Sequence, residues 1–206
     1  MQGHNLRFLN SPEAYMRQTA IECYNVKSGD YGPAIESCGT ARASTTCDTT
    51  IEFDLVPVPK AAYVSLKILG PVGTYTGTGR RGRPLVGAWM PYTGQKSKDD
   101  PEAFGHINAG SVSGGCQFIF TVGLTGCNIV AVQKKAGLHF YHEPTQDSWG
   151  GFPDYDGDVV CRVGPKYGDK TFGGFGVIVR NGGGWNILMQ SHAGTPVCDL
   201  TRYAVG

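Results

Sequence analysis

The chain lacks a surplus of charge of either sign: 18 Lys and Arg stand against 17 Asp and Glu in 206 residues. Tight binding to DNA or RNA by counterion release needs a basic excess, so no direct nucleic-acid partner is expected. No apolar run approaches the roughly 18 residues of a spanning helix, and residues 1–10 show no basic stretch followed by an apolar one. Neither a membrane anchor nor a signal peptide is therefore visible. The seven cysteines contain no C-x-x-C pair, which excludes a zinc ribbon, and their odd number in a chain of this length argues against a disulfide scaffold. The expectation is reduced thiols in a cytosol-like compartment, most of them small buried hydrophobes and one open to use as a nucleophile.

What the chain has instead is backbone punctuation. The 31 Gly and 12 Pro speak for strands joined by many turns, not for a helical bundle. The length suits one domain, 1–206, with an N-terminal arm over 1–10 and a loop rich in Gly, Ser and Thr over 27–49. Ser11-Pro12-Glu13 starts a helix, with Tyr15, Met16, Ala20 and Ile21 on one side as far as Cys23. Alternation or apolar runs predict strands over 50–56, 62–69, 85–90, 116–121, 127–133, 138–142, 158–163, 176–180 and 185–190. Residues 92–110 read as a polar loop. The fold class is α/β in the α+β sense: an antiparallel β-sandwich core flanked by helices.

Three motifs do not hold. Gly77 to Gly82 matches G-x-G-x-x-G, but Arg83-Pro84 and a strand follow where a nucleotide site needs a helix. Its arginines suit an exposed loop that could dock an acidic surface. Asp154, Asp156 and Asp158 resemble a calcium loop, yet Gly157 is misplaced and Pro165 stands where the bidentate Glu belongs. His139 and His142, three apart on a strand, point to opposite faces and cannot share a metal. No cofactor or metal is expected.

Leu124-Thr125-Gly126-Cys127 is the arrangement that carries chemistry. Gly126 permits a tight turn that leaves Cys127 at the head of a strand, and a nucleophilic thiol needs a histidine nearby. A hairpin turn centred between Lys134 and Lys135 sets Cys127 directly opposite His142, on one face. A turn centred at Gln133 would select His139 instead.

The segment from Thr121 to Ala131, with Gly137 and Phe140-Tyr141-His142, resembles the catalytic hairpin of the cytotoxic necrotizing factors. These are glutamine deamidases with an L-[ST]-G-C motif and a histidine on the return strand. Asn10-Ser11, Thr50 to Asp54, Trp89-Met90-Pro91 and Gly110-Ser111 resemble the smaller Burkholderia lethal factor, whose spacing would select His139. Residues 24–49 look like an insertion relative to it. The resemblance implies the fold of the necrotizing factors and chemotaxis receptor deamidases. It implies Cys127 as nucleophile, His142 as acid and base, and Thr121, six residues before the cysteine, as the group that orients the histidine. Tyr167, Gly126 and Thr125 take substrate-side places.

By the same resemblance the chain is a bacterial toxin or effector, exported without a visible signal and active in a host cytosol as a monomer. Its partner is a host protein whose glutamine becomes glutamate: a Rho-family GTPase or a translation-initiation RNA helicase. The Cys–His pair also suits a transglutaminase or a thiol protease. A non-enzymatic β-sandwich binding module with an inert Cys127 is the alternative from another class.

Overall fold

The computed structural model describes residues 3–23, 50–73, 82–93, 97–124, 126–144, 150–165, 173–192 and 198–205. The inserted loop over 27–49, most of the Gly77 to Gly82 motif, Thr125 and Tyr167 lie outside the described residues.

Two short helices come first, α1 (His4–Asn10) and α2 (Pro12–Gln18). Twelve strands follow among the described residues: β1 (Ala20–Glu22), β2 (Ile51–Pro57), β3 (Tyr63–Pro71), β4 (Leu85–Met90), β5 (Gly105–Asn108), β6 (Phe118–Thr121), β7 (Asn128–Lys134), β8 (Gly137–Glu143), β9 (Asp158–Val163), β10 (Gly174–Asn181), β11 (Gly184–His192) and β12 (Cys198–Val205). They form an eight-stranded sheet in the order β1-β3-β2-β4-β6-β10-β11-β12 and a four-stranded sheet in the order β5-β8-β7-β9. The class is α+β, with sheet predominating.

The start of α2 follows its sequence. The Ser11 hydroxyl accepts a hydrogen bond from the Ala14 amide at 3.3 Å, Pro12 occupies the first turn, and Arg17 reaches back to Glu13 at 2.7 Å. The end of α2 does not. The helix stops at Gln18, and Ala20 and Ile21, expected on its apolar side, belong to β1. Gln190, fully buried on β11, explains the break. Its amide nitrogen donates to the carbonyls of Met16 and Thr19, and its oxygen accepts from the Ile21 amide at 2.8 Å. The last helical carbonyls thus find a side-chain donor, and the chain is released into a strand. The segment expected as an N-terminal arm is helical from His4. Its Phe8 is wholly buried against Tyr15, Phe118 and Phe120, and Asn5 bonds to Asp54 at 2.8 Å and to the Leu55 amide at 2.8 Å.

Alternation sorts the apolar residues into layers. Phe118 and Phe120 face the helices, packing with Phe8, Met16, Phe53 and Trp89. Ile119 faces the other way, into a layer shared with Met90, Ile178 and Ile187 of the large sheet and Ile107, Ile129, Ala131, Phe140 and Val163 of the small one. The small sheet's far side carries Val130, Val132, Tyr141, Phe104 and Tyr155.

Two further expectations, both about the sheets, require correction. The core is not wholly antiparallel, since β1 pairs with β3, and β4 with β6, in parallel. A parallel pair needs a long crossover, and residues 91–117 supply it by visiting the other sheet. That visit also corrects the reading of 92–110 as a loop, because it contains a 3-10 turn at Pro101–Ala103 and β5. On the exposed edge strand β9 the ladder slips: Cys161 pairs with Ala131 and Val159 with Val132, so Val160 is an extra residue with no partner across β7.

Candidate active site

Parallel pairing of β4 with β6 brings their C-terminal ends to one side of the large sheet, with Met90 beside Thr121. Pro91 and Tyr92 continue from the first and the segment leading to Cys127 from the second. Val122-Gly123-Leu124 is held by a Gly123 amide bond to the Cys23 carbonyl at 2.9 Å and a reciprocal pair of bonds between Leu124 and Gly174 at 2.8 and 2.9 Å. Gly126, at φ +75, then turns the chain as expected. Cys127 stands one residue before β7, half-buried, its side chain on the layer between the sheets.

The histidine reaches the same face by a register other than the expected one. Lys134 pairs with Gly137, so the turn is Lys135-Ala136, and the residue facing His142 is Ile129, not Cys127. This register sets Phe140 against the small Ala131 and lets the Asn128 amide donate to the Glu143 carboxylate at 2.9 Å, which fixes the hairpin base. The displacement is two residues. An even slip preserves faces, so His142 still shares the inner face with Ile129 and Cys127 as a diagonal neighbour. His139, across from Val132, lies on the outer face with Tyr141 and His106.

His142 is 1% exposed, and its Nδ1 is hydrogen-bonded to Thr121 Oγ1 at 2.7 Å. Its Nε2 is buried and has no hydrogen-bond partner. Among the described residues it shares this state with both ring nitrogens of His139 and the indole nitrogen of Trp89. Burial pushes the imidazole down to about 3, so the ring is neutral at physiological pH. Thr121 is buried as well, and it bridges the two sheets at this point.

Two residue sets escaped the sequence. Tyr92 lies with its ring centroid 4.8 Å from that of His142. Burial, and then the negative charge of an ionised Cys127, hold its phenol above the ordinary value. Nothing about Tyr92 in a polar stretch signals this. The second set lies behind the hairpin. Glu143, wholly buried, accepts from Asn128, from the Tyr155 hydroxyl at 2.9 Å and from Arg162 at 3.1 Å. Equal spacing of Cys127/His142 and Asn128/Glu143 does not signal it, because antiparallel pairing depends on where the turn is centred.

No family model and no curated protein matches the chain.

Proposed function

We propose that this chain is a cysteine-dependent protein glutamine deamidase with the fold of the cytotoxic necrotizing factors and chemotaxis receptor deamidases. The single observation that carries the reading is the bond from Thr121 to His142 Nδ1, which leaves Nε2 unclaimed on the face occupied by Cys127. A cysteine, a histidine and an orienting third residue are the parts of a nucleophilic amidohydrolase.

The chemistry follows from a neutral imidazole. With the Nδ1 proton donated to Thr121 Oγ1, Nε2 offers a lone pair and acts as general base. It takes the Cys127 proton as the sulfur attacks the carboxamide carbon of a glutamine. The resting imidazole is therefore neutral, and the histidine enters the reaction as a base. The tetrahedral oxyanion is stabilised by nearby donors. His142 returns the proton to the amine, the C–N bond breaks and ammonia leaves, giving a thioester. Water then attacks, passing its proton to His142. The C–S bond breaks, and the sulfur recovers the proton. Glutamine and water become glutamate and ammonia, with no cofactor required.

The biological setting is part of the same proposal: a bacterial effector acting in a host cytosol on a Rho-family GTPase or a translation-initiation RNA helicase. The test is mass spectrometry of host-cell lysate treated with the wild-type protein or with Cys127→Ala. A single protein showing Gln-to-Glu conversion only with the wild type is the expected result. Equal conversion by both, or none by either, overturns the assignment.

A further inference from the structure

Beside the cysteine and the histidine, the site has an aromatic wall whose position is built into the fold. Gly105 of β5 pairs with His142 of β8. A side chain on Gly105 would share the inner face with the imidazole. The space is already taken: a Cβ there would stand 1.7 Å from the Pro91 carbonyl oxygen and 2.5 Å from its carbon. The absence of that one side chain lets the Pro91-Tyr92 backbone drop against the small sheet beside His142. Tyr92 is thereby laid over the imidazole, its ring tilted 46° at 4.8 Å, while 39% of the residue stays exposed. It is one of few large apolar side chains open to solvent among the described residues, and it is the one that reaches the site.

A phenol in this position lays its apolar body against the imidazole, and the residue's part-exposure leaves it a polar tip for a ligand arriving from solvent. The tip matches a need of the chemistry. A glutamine entering from solvent presents a primary carboxamide, whose oxygen needs a donor as negative charge develops on it. A tyrosine hydroxyl supplies one, and it stays protonated at any working pH when its titration lies above the ordinary range.

We propose that Tyr92 is a third catalytic residue, whose hydroxyl binds the oxygen of the substrate carboxamide above Cys127 while its ring walls His142 from water. This rests on the deamidase reading and names the group that recognises its substrate's amide.

The test uses small probes, so it does not depend on knowing the target protein. Iodoacetamide carries a primary carboxamide, and methyl methanethiolsulfonate carries none. Alkylation of Cys127 by each is followed by peptide mass spectrometry in the wild type and in Tyr92→Phe, with thermal melting as the check on folding. Loss of one hydrogen bond should slow iodoacetamide about tenfold and leave the thiolsulfonate rate unchanged. Rates unchanged for both reagents overturn the proposal, as does equal slowing of both, and so does a wild-type Cys127 inert to both. Selective slowing without any Gln-to-Glu conversion in lysate would uphold carboxamide recognition by Tyr92 while removing the deamidase assignment.

Discussion

Asn128 and Glu143 face each other across the open end of the β7–β8 hairpin, joined by a side-chain hydrogen bond of 2.9 Å. Each is the chain neighbour of a member of the proposed pair, Cys127 just ahead of β7 and His142 in β8. Because alternate residues point to opposite faces, the carboxylate network lies behind the sheet and the face shared by Cys127 and His142 in front of it. The network holds the two backbones without entering the site.

Glu143→Ala should therefore cost stability first. It leaves the Arg162 guanidinium, only 20% exposed, without its carboxylate. Breaking a buried pair from one side typically costs about 3–5 kcal/mol. Urea unfolding of Glu143→Ala, Arg162→Met and the double variant should show the double variant recovering part of the loss.

The buried imidazole makes stability depend on acid. His142 titrates near 3 when folded and near 6.5 when unfolded. Below 6.5 the unfolded chain takes up a proton that the folded chain refuses, so this contribution is complete above pH 6.5 and is lost as pH falls toward 3. Between pH 6.5 and 4.5 the loss should be roughly 2–3 kcal/mol. His139 is displaced in the same direction, chiefly by burial. The difference between the wild type and His142→Gln across this range isolates the share of His142.

Thr121→Val removes the partner of Nδ1 and leaves both imidazole nitrogens buried and unbonded. Glutamine conversion should fall by more than tenfold, toward the ~10⁴ lost when the orienting partner of a catalytic histidine is replaced. Thr121→Ser keeps the hydroxyl and should retain most activity. Equal activity in the valine and serine forms would remove Thr121 from the mechanism.

Phe8→Ala tests whether the first helix belongs to the core. The ring is wholly buried among three aromatic neighbours. Its removal should cost about 3–5 kcal/mol, read as a lower denaturant midpoint. A loss below 1 kcal/mol would mean that α1 is dispensable.

Local pattern carried the sequence reading a long way. The alternation of Phe118, Ile119 and Phe120 assigned each residue to its layer, and Leu85–Met90 and Asp158–Val163 have the strand limits their apolar content predicts. The face shared by Cys127 and His142 was legible because parity survives a slip of two. The register was not, since it depends on Asn128 meeting Glu143. Ala20-Ile21 was misread because the group that ends α2 is Gln190, far away in the chain. Tyr92 was out of reach for the same reason: its place over His142 depends on a glycine in another sheet.

The unpaired Val160 has a consequence for how copies of this chain behave together. Val159 and Val160 are both exposed on β9, at the rim of the small sheet. A straight, apolar rim invites edge-to-edge pairing between molecules and, from there, fibrous aggregates. The extra residue bends the rim and puts its amide and carbonyl out of step with any incoming ladder. The misfit thus works against pairing along this rim, alongside the charges of Asp158 and Arg162 on the same strand.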